Sequence, residues 1–137
     1  MKKFKGLIIM LLISLSLFGL TACQNDGSDA KTNKLGYEQI NAEKAKEIMD
    51  SGSEYVIIDA RTDDEFAAGH IEGAILIPEY EISERAEMEI PEKDMLILVY
   101  CRSGRRSKIA SEELVALGYT NVKEFGGIID WPYEIVK

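Results

Sequence analysis

The chain has 137 residues, 46% of them hydrophobic and 29% charged, with a formal net charge of −8. That length suits one folded domain with one core. An acidic body of this kind is repelled by phosphate backbones and by anionic lipid surfaces, which excludes nucleic-acid binding as a function class.

The start, Met1-Lys2-Lys3-Phe4-Lys5, is basic, and the stretch from Gly6 to Leu20 is apolar. At 15 residues it falls short of a membrane-spanning helix, which needs about 20, and suits the core of a signal peptide. It ends in Leu20-Thr21-Ala22-Cys23, which is similar to a bacterial lipobox. That resemblance implies a signal peptide over residues 1–22, lipid attachment at Cys23 and an extracytoplasmic protein tethered to the cell membrane. An ordinary signal peptide or an uncleaved anchor are the alternatives. Cleavage before Cys23 removes Lys2, Lys3 and Lys5 and takes the net charge from −8 to −11, so the membrane is touched through the lipid alone. With two cysteines in the chain, a lipidated Cys23 leaves Cys101 as a lone thiol where disulfides are normal. Residues 23–36, with Asn25, Asp26, Gly27, Ser28, Asp29, Lys31, Thr32 and Asn33, carry no hydrophobic period and read as a flexible tether.

The domain is expected over residues 37–137. Tyr37-Glu38-Gln39-Ile40 reads as an edge strand. Asn41 caps a helix with Ala42, Ala45, Ile48 and Met49 on its inner face, ended by Gly52. Glu54 to Asp59 is a strand, and Thr62-x-x-Glu65 a capping box that opens a short helix closed by Gly69. Ile71 to Pro78 is a third strand, Glu81 to Met88 a short acidic helix ended before Pro91, and Met95 to Tyr100 a buried strand. Ser107 to Leu117 forms a helix with Ala110, Leu114 and Leu117 on one face and Gly118 as its left-handed stop. Asn121 to Phe125 is a last strand, Gly126-Gly127 a turn, and Ile128 to Val136 an irregular or helical tail. Strands alternating with helices predict an α/β fold, a central parallel sheet of about five strands with helices on both faces. No internal repeat and no Cys/His metal-ligand spacing occurs, so neither metal nor cofactor is expected.

Sites in such sheets lie outside the carboxyl ends of the strands, and there the chain reads Cys101-Arg102-Ser103-Gly104-Arg105-Arg106-Ser107. A strand, a tight polar loop and a helix start present backbone N–H groups and the positive end of a helix dipole. Such a setting, with three of the chain's five arginines in one loop, lowers a thiol pKa and makes a nucleophile. The competing reading is a Cys that serves as a small buried hydrophobe. The local basic charge on an acidic body favours capture of a small anion over a spread polyanion.

The spacing C-x-x-G-x-R resembles the active-site loop of the rhodanese family of sulfurtransferases. Phosphatase-type loops use C-x5-R, and Ser107 stands where their arginine would be. The similarity extends over Ile40 to Trp131: Asp59-Ala60-Arg61, Glu65-Phe66, Gly69-His70-Ile71, Gly73-Ala74-Ile75 and Ile77-Pro78 ahead of the loop, and Gly118-Tyr119, Asn121-Val122, Gly126-Gly127 and Trp131 behind it. The resemblance implies a two-step transfer. Cys101 takes the outer sulfur of a small anionic donor such as thiosulfate, becomes a persulfide and passes the sulfur to a thiol, a protein acceptor or cyanide. The N–H groups of Ser103 to Ser107 are expected to stabilise the anions, Arg102 and Arg105 to attract the donor, and Arg106 to turn inward and tie the loop. Asp59 and Arg61 are expected to pair and hold the rim of the site, with contact between Arg61 and substrate as the alternative. His70 is expected to fix a turn through the backbone, and Trp131 to seal the core. A sulfur carrier or binding module without turnover and a phosphatase or arsenate reductase of related fold are the rival functions.

Overall fold

The structure, a computed structural model, describes residues 36–137. The expected signal peptide, Cys23 and the tether up to residue 35 lie outside the described residues. Five strands, β1 (Glu38–Gln39), β2 (Val56–Asp59), β3 (Ala74–Leu76), β4 (Ile97–Cys101) and β5 (Val122–Gly127), form one all-parallel sheet in the order β1-β5-β4-β2-β3. The helices α1 (Ala42–Asp50), α2 (Asp63–Ala68), α3 (Ile82–Glu89) and α4 (Arg105–Ala116) connect them.

Side chains that alternate along the strands sort into two cores, because successive residues of a strand point to opposite faces. Ile58, Ile97, Val99 and Cys101 meet Ile82 and Ala86 of α3 and Ala110 and Leu114 of α4. On the other face Ile57, Leu98 and Tyr100 meet Ala45, Ile48 and Met49 of α1, together with Phe125. The central strand β4 is buried throughout, which is why its sequence is apolar without alternation.

The helix ends follow their local chemistry. Asn41 Oδ1 accepts the Lys44 N–H at 2.8 Å, and Thr62 with Glu65 forms the reciprocal capping box. Gly118 takes the left-handed conformation after α4, at φ 95°. Several boundaries differ from the sequence expectation. Helix α4 starts two residues before Ser107, because Gly104 at φ 98° turns the chain directly into its first turn. The edge strands β1 and β3 are only two and three residues long, each with a neighbour on one side only. Gly126-Gly127 is strand rather than turn: β5 continues to Gly127, which pairs with Cys101 after a register shift between Val99 and Cys101. Trp131 is half-buried against Phe125, ring centroids 5.6 Å apart, and so flanks the second core instead of closing it.

A buried polar network ties the carboxyl ends of β2 and β4 together. The Tyr100 hydroxyl donates to Asp59 Oδ2 at 2.6 Å and accepts the Ile71 N–H at 3.1 Å. Arg61 donates from Nε to both Asp59 oxygens and from Nη2 to Asp59 Oδ2 and the Gly69 carbonyl, each of the last two at 2.7 Å. Burial, then the Asp59 charge beside it, push the Tyr100 phenol well above its ordinary range, so it stays a neutral donor. Tyr100→Phe should lower stability by about 1–3 kcal/mol in urea unfolding, since it orphans the Ile71 N–H and removes a donor from a buried carboxylate. A change within error would show that the network contributes nothing.

Candidate functional site

Cys101 closes the central strand, is 1% exposed and is a free thiol. Past it the chain folds back so that the Gly104 N–H donates to Sγ at 3.0 Å, and Ser107 Oγ lies 3.4 Å from Sγ. Burial pushes the thiol up, but the Ser107 hydroxyl and the N–H groups of Ser107, Gly104 and Ser103 outweigh it and hold the pKa below the ordinary thiol value. Of the five N–H groups expected to line the cup, that of Gly104 makes the hydrogen bond to the sulfur. Hydrogen bonds to the charged form are the cause that wins.

The three loop arginines divide by role. The Arg106 guanidinium makes a two-pronged pair with Glu65, Nη1 to Oε2 at 2.7 Å and Nη2 to Oε1 at 2.9 Å. It therefore straps the first turn of α4 to the first turn of α2. Arg102 and Arg105 are exposed, and their side chains form no hydrogen bond or ion pair among the described residues. They leave two free positive charges at the mouth of the loop, the arrangement that raises the local concentration of small anions.

Asp59 and Arg61 do not line an open rim. They are 0% and 5% exposed and pair with one another inside the molecule through Arg61 Nε and Nη2. His70 is tied through Nδ1 to the Phe66 carbonyl at 3.0 Å with its ring stacked on Phe66, centroids 3.7 Å apart. It takes no part in the contacts of Cys101.

Two residues that shape the site escape a reading of the sequence. Glu124 on β5 is 3% exposed and accepts the Ser107 hydroxyl at 2.6 Å; in the sequence it is one of two adjacent charges, Lys123 and Glu124, within the strand. Gly127 has no side chain for a steric reason, because a Cβ there would lie 2.1 Å from the Arg102 carbonyl oxygen. That close approach lets β5 support the loop from behind, helped by the Ile129 N–H donating to the same carbonyl at 3.3 Å.

The Arg106 strap makes the site sensitive to acid. The Arg106 guanidinium first, with the Thr62 N–H and hydroxyl, holds the Glu65 carboxyl down at about 2 from its ordinary 4.5, against a smaller opposing effect of burial. A lowered folded-state pKa contributes stability that is complete above pH 4.5 and is lost as pH falls toward about 2. Glu65→Gln should therefore reduce the loss of stability across that window by about 1 kcal/mol, allowing for solvent screening of a partly exposed pair. Urea titrations at several acidic pH values check this; unchanged pH dependence would mean that the strap is not formed.

Comparison with known proteins adds to this geometry. The family model described as the Rhodanese-like domain matches residues 41–132. The chain is 41% identical over 80 residues to the thiosulfate sulfurtransferase PspE of Escherichia coli, covering 58% of this chain and 77% of that protein. It is 37% identical over 94 residues to a sulfurtransferase of Allochromatium vinosum, covering 68% of this chain and 86% of that one. Among solved structures it resembles a rhodanese with anions from E. coli, with a TM-score of 0.58, 38% identity, and coverage of 61% of this chain and 98% of that one.

Proposed function

Because the chain belongs to the rhodanese-like domain family, we propose that it is a sulfurtransferase, carrying sulfane sulfur on Cys101 from thiosulfate or a similar anion to a thiol or to cyanide. The observation that carries this reading is a thiol held below its ordinary pKa by hydrogen bonds at the carboxyl end of the central strand. The thiolate is the nucleophilic form. In the first step it attacks the outer sulfur of thiosulfate, and the S–S bond of the donor breaks with its electron pair leaving on sulfite. In the second step the acceptor attacks the outer sulfur of the Cys101 persulfide, and the electron pair of that S–S bond returns to Cys101 as thiolate. No oxidant or metal enters the balance.

The same N–H groups serve both steps, since thiolate and persulfide are anions in turn. Arg102 and Arg105 raise the capture rate of the donor without touching the sulfur. The deep seat of Cys101 restricts the reaction to donors slim enough to enter the loop. Phosphate-ester chemistry is disfavoured, because Ser107 stands where the arginine of a C-x5-R loop would be and the neighbouring Arg106 is committed to Glu65.

The proposal includes the chain's address. The basic, then apolar, start that ends at Cys23 supports a lipid anchor there, with the domain on the outer side of the cell membrane and a surface protein or small thiol as acceptor. A sulfur carrier that loads but does not turn over is the second reading, favoured by the near-complete burial of Cys101.

Purified protein incubated with thiosulfate and cyanide should form thiocyanate, and mass spectrometry should find one added sulfur on Cys101 and lipid on Cys23. Cys101→Ser should abolish both the adduct and at least about a thousandfold of the rate. Survival of the rate in that variant would remove the assignment, and a stable adduct without thiocyanate would favour the carrier. Arg102→Ala and Arg105→Ala should each raise KM for thiosulfate by about threefold to tenfold with little change in kcat, an effect that shrinks in high salt. Equal KM values would show that the arginines do not collect the donor.

A further inference from the structure

The face of the sheet opposite the core that holds Cys101 carries a concavity of its own, a groove of about 740 Å³ between α1 and the tail that follows β5. Met49, Tyr55, Ile71 and Trp131 of the second core line it. Tyr133, which is 39% exposed, stands against Trp131 with ring centroids 4.9 Å and planes 69° apart, so the two rings make a corner. Beyond the groove the tail is pinned, because Val136 and His70 exchange main-chain hydrogen bonds at 2.8 and 2.9 Å. The corner is therefore built before any ligand arrives, which lowers the ordering cost of binding.

The charges of the groove are unbalanced. Three carboxylates line it, those of Asp50, Glu72 and Glu134, against one ammonium, that of Lys46. Lys46 is bound to both oxygens of Asp50, so these two cancel. The carboxylates of Glu72 and Glu134 form no hydrogen bond or ion pair among the described residues and leave the groove negative. The Lys46 ammonium also lies over the Tyr133 ring, 5.7 Å from its centroid, at the outer edge of the cation–π range. The groove thus already takes up an ammonium of the protein's own. Ring faces and carboxylates both attract cations and both repel anions, so the two features select one class of ligand. That sign is the reverse of the one at the Cys101 loop, where Arg102 and Arg105 are exposed. An anionic sulfur donor has no place here.

We propose that this groove is a second binding site, for a small organic cation with an alkylated ammonium on an apolar body. The apolar body lies along Met49, Ile71 and Trp131, the ammonium enters the corner of Trp131 and Tyr133, and Glu72 and Glu134 balance its charge. An alkylated ammonium suits the rings better than a bare one, because rings supply no acceptors to replace the water that a bare ammonium would lose. The volume is that of an ordinary small-molecule pocket. The site stands apart from sulfur transfer and does not depend on Cys101 being a nucleophile.

Trp131 is the chain's single tryptophan and reports on the groove directly. Titration of the purified full chain with benzyltrimethylammonium should give a saturable change in tryptophan fluorescence, with a Kd on the order of 0.1–1 mM at low salt. About 0.5 M sodium chloride should weaken it by about threefold. Benzyl alcohol and benzenesulfonate, neutral and anionic molecules of similar shape, should give no saturable change below about 10 mM. Glu72→Gln combined with Glu134→Gln, both at exposed positions, should weaken the cation about tenfold, and Tyr133→Ala about threefold to tenfold. Lys46→Met removes the competing ammonium and frees Asp50, so it should tighten binding about threefold. The absence of a saturable change overturns the proposal. So does an equal response to benzyl alcohol, which would reduce the groove to a plain apolar surface, or to benzenesulfonate. Binding that is unchanged in the double glutamine variant, or unchanged or weaker in Lys46→Met, has the same force. Should Tyr133→Ala fail to fold by circular dichroism, the double glutamine variant decides alone. Cys101 alkylation by iodoacetamide should be the same in every folded variant, and a variant that alters it would show that the groove is not separate from the loop. Fluorescence reads binding without sulfur transfer, so loss of thiocyanate formation in the wild type removes the transferase and leaves the cation site standing.

Discussion

The rest of the site depends on the hydrogen bonds that the Cys101–Ser107 loop turns onto one sulfur atom. Cys101 is placed where water cannot reach it well, and burial alone would keep its thiol protonated and slow. The Ser107 hydroxyl, with the N–H groups of Ser107, Gly104 and Ser103, reverses that outcome. Backbone dipoles are the right instrument because they are fixed by the fold, cannot titrate and need no reorganisation when charge appears on the sulfur.

Holding those amides in place is the work of elements distant in sequence. From one side Arg106 reaches Glu65, so the loop and the α2 cap are a single mechanical unit. From behind, β5 presses a residue without a side chain against the Arg102 carbonyl. Underneath, the Asp59, Arg61 and Tyr100 network fixes the ends of β2 and β4 relative to one another. Each of these contacts is polar and geometrically specific, whereas the two apolar cores fix only the general placement of sheet and helices. That division matches a common property of small α/β domains: packing specifies the fold, and a few directed bonds specify the site.

Electrostatics separates capture from chemistry. The body is acidic, and two exposed guanidiniums, Arg102 and Arg105, put local positive charge on the Cys101 loop, where the proposed anionic donor would be collected. The third, Arg106, is structural. The family resemblance already separates Arg106 from the other two; the fold supplies its partner, Glu65.

The sequence by itself determined the class of fold and the place of the cysteine loop at the end of a central strand. Apolar runs without alternation, Asn41 and the Thr62 to Glu65 box as caps, and Gly118 as a stop are local signals, and local signals are written in adjacent residues. The same holds for the loop, whose spacing is a property of one short segment. What only the tertiary structure decided is everything that joins segments far apart. Glu65 reads as a cap and is also the partner of Arg106, 41 residues away. Glu124 reads as a stray acid in a strand and lies behind Ser107, and Asp59 with Arg61 reads as a rim and is buried. Gly126-Gly127 reads as a turn, since glycine pairs usually are, and is strand because Gly127 pairs with Cys101, at a place where the Arg102 carbonyl leaves no room for a side chain. Such pairings arise when the sheet brings the ends of its strands side by side, and no periodicity along the chain encodes which side chains then meet.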